Sequence, residues 1–135
     1  MNPQMAAALA AEEAAIYAYG IIGVKAGGAV TEARSAEQAH RRRRDYLVGK
    51  MEQPQTSPAG YEMPFPVTDR ATALKLAVQV EDGVAQAWRP VLTVTTGADR
   101  TAALAAMTDA AVRATRWRRL AGVSPATLPF PGRAQ

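Results

Sequence analysis

The 135-residue chain has no cysteine, a single histidine and few aromatics: two Trp, four Tyr and two Phe. Without cysteine there are no disulfides, zinc–thiolate sites, iron–sulfur clusters or cysteine nucleophiles, although a cysteine-free chain suits any compartment. Glycine-rich phosphate loops, dinucleotide fingerprints and nucleophile elbows are also missing, and Gly23 to Gly28 reads as the end of a helix. No apolar run approaches the length of a membrane span. The first fifteen residues lack a basic leader, and Glu12-Glu13 interrupts them before an apolar stretch forms. A soluble cytoplasmic protein with no membrane partner is therefore expected.

What is abundant is alanine, the best helix former and a poor strand former. The length suits one domain with a real core. The net charge of +4 comes from 16 Lys and Arg against 12 Asp and Glu, with the excess gathered in arginine clusters.

Four amphipathic helices are predicted. The first runs from about Pro3 to Val24 and stops at Gly27-Gly28, with Leu9, Glu13, Ile16, Gly20 and Gly23 or Val24 on one face. The second is capped by Thr31 and turns Ala33, Glu37, His40, Arg44, Leu47 and Met51 inward, ending before Pro54. A long Pro-rich segment from Gln53 to Asp69 follows; Tyr61, Met63 and Phe65 suggest that it lies on the protein. Thr68 or Asp69 caps the third helix, whose stripe is Leu74, Ala77-Val78, Glu81, Ala85, Trp88 and Leu92, with Pro90 disturbing its last turns. The fourth runs from about Arg100 to Ala121. Its alanines leave two inner faces open, one through Met107, Ala110-Ala111 and Ala114, the other through Ala106, Ala110, Arg113 and Trp117. Short links within each pair and one long link between pairs give an all-α four-helix bundle with a Pro-rich crossover between helices two and three. The bundle spans 1–122, and an extended Pro-rich tail spans 123–135. Pro64-Phe65-Pro66 and Pro129-Phe130-Pro131 echo each other after each helix pair.

Glu13, Glu37, His40 and Glu81 fall on or beside apolar stripes, where an unpartnered charge is costly. Glu37 and His40 have the spacing of a helical carboxylate–imidazole metal pair, because groups three apart share a face. Together, the stretch Ala11 to Gly20, the run His40 to Asp45, the linker Met63-Pro64-Phe65-Pro66-Val67, the pair Glu81-Asp82, and Ala110 to Arg113 through Trp117 resemble an actinobacterial ferritin-like domain family of unknown function. The resemblance covers about Ala8 to Trp117 and implies a ferritin-like bundle with no established activity. Glu37 lies outside the motifs that carry it.

Ferritin-like di-iron centres take one Glu from each of two helices and a Glu-x-x-His from each of the other two. The fourth helix offers only Asp109, with Val112 and Arg113 where a histidine would be needed. A two-histidine centre within one chain is thus excluded. One reading has Glu13, Glu37, His40 and Glu81 holding iron or manganese for an oxidoreductase or iron-handling protein. The favoured reading is a non-enzymatic or interaction protein that needs no cofactor. In it, Glu12 or Glu13 and Glu81 pair with Arg44 and Arg113, while Asp82 and Tyr17 join a buried polar network around His40; Tyr17 and Tyr19 both lie near the acidic pair, where an interior tyrosine is expected to give its hydroxyl to a carboxylate. Arginine suits that role through its planar fork. Trp88 and Trp117 are expected to pack in the core or an interface. The run Arg41 to Arg44, with Arg116, Arg118 and Arg119, raises a nucleic-acid-binding alternative, but consecutive helical residues point around the cylinder and a solvated face is the default. Ile21 and Ile22, off the predicted inner stripe, suggest a homodimer.

Overall fold

The computed structural model describes residues 1–53 and 56–134 and is all-α, with no strand among them. Pro54, the expected stop of the second helix, lies outside the described residues. The four helices are α1 (Pro3–Lys25), α2 (Val30–Val48), α3 (Arg70–Trp88) and α4 (Gly97–Leu120). Short 3₁₀ turns follow α1 at Gly27–Ala29 and α3 at Arg89–Thr93.

The helix ends follow local chemistry. Asn2 accepts from the Met5 amide at 2.7 Å, and Pro3 occupies the first turn, where its missing N–H costs nothing. Asp69 and Thr72 form a reciprocal capping box at the start of α3. Pro90 falls beyond the α-helix, in the 3₁₀ turn. Thr31 is not the cap of α2: the 3₁₀ turn runs straight into that helix, with Ala29 at the cap position and no side-chain bond. At the end of α4, Gly122 takes φ +73° while the Val123 amide reaches Arg118 O at 2.9 Å and the Gly122 amide reaches Arg119 O at 3.2 Å. This pairing satisfies two carbonyls that the helix end would otherwise leave open.

The inward face of α1 carries Met5, Ala8, Leu9, Glu12, Ala15, Ala18, Tyr19 and Ile22. This alternating three–four spacing differs from the expected stripe by one position. Glu12 is fully buried where Glu13 was expected, and Gly20 is exposed with open space where a Cβ would stand. Ile22 is a core residue, which removes half of the apolar pair from which a dimer was inferred. By length and composition α1 could cross a membrane, contrary to the expectation from the sequence, because alanine counts as apolar in any window; 39% of the qualifying window is buried within the fold. On α4 the buried residues are Ala103, Ala106, Ala110, Ala114, Trp117 and Arg118, close to the second of the two faces considered.

α1 packs against both α2 and α3, and α3 packs against α4. Two apolar clusters result. One joins the first half of α1 to Leu47, Val84, Trp88, Val91 and the first half of α4. The other joins the second half of α1 to the first halves of α2 and α3 and to Trp117. Adjacent helices in contact therefore run in opposite directions. Arg43–Asp109 at 2.6 Å and the Tyr46–Asp99 hydrogen bond tie α2 to α4 in the same antiparallel sense. Between the two clusters sits a layer of buried polar groups.

Candidate functional site: a buried carboxylate–histidine network

All four helices contribute to this layer. Glu12 and Tyr19 come from α1, His40 from α2, Glu81 and Trp88 from α3, and Arg113 and Trp117 from α4. Glu12 and Glu81 have no solvent exposure, and His40 retains 2%. His40 bridges the two acids, with Nδ1 2.7 Å from Glu12 Oε2 and Nε2 2.8 Å from Glu81 Oε2. Trp88 Nε1 donates to the other Glu12 oxygen at 3.0 Å, and Arg113 Nη1 to the other Glu81 oxygen at 3.2 Å. Tyr19 donates its hydroxyl to Glu81 Oε2 and accepts from Trp117 Nε1 at 2.9 Å. Its ring stacks on the imidazole, with centroids 5.5 Å apart and 22° between the planes.

The arrangement is reciprocal. The acid of α1 is bonded by the tryptophan of α3, and the acid of α3 by the tyrosine of α1. In both helices the acid and aromatic are seven residues apart, two turns along the same face.

Each ring nitrogen of His40 faces a carboxylate, so both can donate only if the ring is an imidazolium. Burial opposes that charge, but the hydrogen bonds that the ring donates to Glu12 and Glu81, reinforced by their charges, raise the pKa from 6.5 to about 9. Burial and the Glu81 charge push Tyr19 well above its ordinary range, so its hydroxyl remains a donor. Two carboxylates against one imidazolium and one guanidinium leave the centre neutral. Among the described residues no buried side-chain N or O lacks a partner. Such saturation is what makes a polar centre tolerable in a low-dielectric core.

The residues proposed from the sequence separate into two places. His40 and Glu81 meet at the centre. Glu13 and Glu37 instead line a groove on the α1–α2 surface with Tyr17, Arg41 and Arg44. Glu37 pairs with Arg41 at 3.0 Å, and Arg44 with Asp45 at 3.0 Å. Inward positions on α2 are Ala33, Ala36, His40 and Leu47, which puts Glu37 and Arg44 off the buried face. Tyr17 is 39% exposed and packs on Tyr61 of the 49–69 segment, with ring centroids 5.5 Å apart, instead of joining the network. Asp82 pairs with the buried Arg118 away from His40; burial pushes its carboxyl up, and Arg118 opposes the shift. Arg113 does meet Glu81. Of the two tyrosines expected near the acids, Tyr19 is the one that gives its hydroxyl to a carboxylate; Trp88 and Trp117, expected only to pack, also donate their indole N–H groups here, for which the seven-residue acid-to-aromatic spacing was the available signal.

The donor set does not suit a di-iron or manganese centre. Both imidazole nitrogens are committed to carboxylates, and a fixed guanidinium lies against Glu81, where it would repel a metal cation. Among the described residues no three His, Asp or Glu side chains are arranged to hold an ion. Within the arginine run, Arg41, Arg43 and Arg44 each face a carboxylate.

A family model described as a domain of unknown function (DUF4439) matches residues 4–135. The crystal structure of a conserved hypothetical protein, rv2844, from Mycobacterium tuberculosis is similar at 38% sequence identity and a TM-score of 0.83, over 88% of this chain and 95% of that one. No curated protein matches the sequence.

Proposed function

We propose that this chain, which belongs to the DUF4439 family of domains of unknown function, is a ferritin-like bundle that acts without a metal, as a non-enzymatic scaffold or interaction protein. The ferritin-like reading is supported by helix direction. With α1 opposed to both α2 and α3, the latter two run the same way, so the segment 49–69 must travel the length of the bundle, as a crossover connection does. Pro58, Pro64 and Pro66 stiffen that segment.

One observation carries the functional reading: the polar side-chain atoms of Glu12, His40 and Glu81 are buried and already bonded. A catalytic acid, base or ligand must keep some capacity for a substrate or ion. Glu12, His40 and Glu81 have no contact with solvent to speak of, and their strongest bonding positions face one another. What they can do is hold four smooth, alanine-rich helices in a single register, a use attested for buried polar groups elsewhere.

Metal analysis tests this. Protein purified without an affinity tag and exposed to iron or manganese should carry far less than one ion per chain, and His40→Ala should not alter the figure. A stoichiometric ion that disappears in His40→Ala would overturn the reading and favour the metal-dependent oxidoreductase.

A further inference from the structure

The outward face of α4 is largely uncovered. Thr101, Leu104, Thr108, Ala111 and Thr115 recur along it at alternating three- and four-residue spacing, with Val112 beside them. Leu104 and Val112 are 52% and 45% exposed. Between Thr101 and Thr115 the only charged residues are Asp109 and Arg113. Each is paired within the chain, Asp109 with Arg43 and Arg113 with Glu81. The hydroxyls of Thr101 and Thr115 turn back onto the carbonyls of Gly97 and Ala111, each at 3.2 Å, so covering them strands no donor.

The same face carries both halves of a contact. Thr108, Ala111, Val112 and Thr115 stand at i, i+3, i+4 and i+7, the four corners of the hole that takes a side chain from a facing helix. All four line a half-enclosed cavity of about 320 Å³. Its other wall carries polar groups of α3 and the C-terminal segment, among them Asp82, Gln86, Thr127 and Arg133. An incoming leucine needs only the α4 rim. Leu104 lies one turn before that rim. A two-fold axis passing Thr108 sets two copies of α4 antiparallel, with Leu104 of each level with Val112 of the other. Each Leu104 then enters the other copy's hole, and the two contacts are identical, as an isologous interface requires. Thr108 makes no hydrogen bond among the described residues. On the axis its hydroxyl meets its own counterpart, where one donates and the other accepts.

We propose that the protein forms a weak antiparallel dimer through α4, a second copy of the chain being the occupant of this face. An unlike helix could supply a knob, but a second copy supplies knob and hole together in the register that the first presents. The size of the surface sets the strength. The stripe from Thr101 to Thr115 is about 21 Å long, on a helix about 10–12 Å wide. Such a strip covers well under the roughly 800 Å² per partner of a stable interface. Phe130 of the adjoining C-terminal segment, 67% exposed, extends it. The contact therefore falls among transient ones, with a Kd between about 10 μM and 1 mM. The same register brings Arg100 level with Arg116 of the other copy, a repulsion that salt screens. The surface shares no residue with the His40 layer, so the dimer forms whether or not that layer takes a metal.

Cysteine cross-linking tests this without background, because the chain has no cysteine of its own. At the separation of packed helices, about 8–10 Å between axes, the two Thr108 Cα atoms lie within disulfide reach. Thr108→Cys at about millimolar concentration, in high salt with a mild oxidant, should give a covalent dimer in high yield. Thr101→Cys should give little, since the two copies of that position stand about 20 Å apart in the antiparallel register. Sedimentation equilibrium of the full chain should show the dimer, and Leu104→Glu should weaken it about tenfold or more while thermal melting confirms the fold. Should that variant not fold, Leu104→Ala carries the same comparison. Equal linking of Thr101→Cys, or an unchanged Kd on substitution of Leu104, would overturn the proposal. So would a chain that stays monomeric at millimolar concentration, which would leave the face to an unlike protein.

Discussion

Glu81→Ala should be the most damaging single substitution in the molecule, destabilising it by about 3–5 kcal/mol, the range measured when one partner of a buried ion pair is removed. Glu81 accepts from Tyr19, His40 and Arg113, donors on three other helices. Its loss leaves an imidazolium and a guanidinium near each other without the shared counter-charge, and a buried tyrosine hydroxyl without an acceptor. For a domain of this size that corresponds to a fall in Tm on the order of 10–20 °C. Urea and thermal unfolding measure it directly. Glu81→Gln keeps the side-chain shape and an acceptor but not the charge, and should lie between wild type and Glu81→Ala. A loss below about 1 kcal/mol in Glu81→Ala would mean that the layer is worth no more than a surface ion pair.

The second large effect is a dependence of stability on pH. His40 is raised in the folded protein from 6.5 to about 9, so the folded state holds its proton more tightly than the unfolded chain does. The stabilisation is fully present below pH 6.5, declines as pH rises through the interval, and is gone above about 9. A shift of this size is worth roughly 3 kcal/mol by linkage. Urea unfolding at intervals from pH 6 to 10 should show this decline, and His40→Gln should show it no longer. A wild-type profile that is flat across the same window would mean that the ring is neutral when folded, contrary to its two carboxylate partners.

How far the sequence could be read depended on contrast between neighbouring residues. On α3, Leu74, Glu81 and Trp88 differ sharply from the polar positions between them, so the stripe and its buried acid were legible. On α1, alanines occupy several sides of the helix, and hydrophobicity could not distinguish Glu12 from Glu13. The distinction depends on the three–four spacing set by Met5, Leu9, Tyr19 and Ile22, which emerges only when the partner helices are in place. On α2 the i, i+3 relation of Glu37 and His40 was correct as geometry but insufficient as a guide. Glu37 sits at the edge of the buried face, near enough to solvent for Arg41 to satisfy it. The reciprocal bonding of Glu12 with Trp88 and Glu81 with Tyr19 joins residues 76 and 62 positions apart, a relation that local periodicity does not encode.

The separation of the apolar core into two clusters bears on how the molecule opens locally. Each end of the assembly has its own oily contacts and frays without disturbing the other. The middle cannot open by small steps, because freeing any one side chain there strands the groups it serves. Amide hydrogens near Glu12, His40 and Glu81 should therefore exchange with solvent only through global unfolding, while those toward the helix ends exchange sooner through local fluctuations.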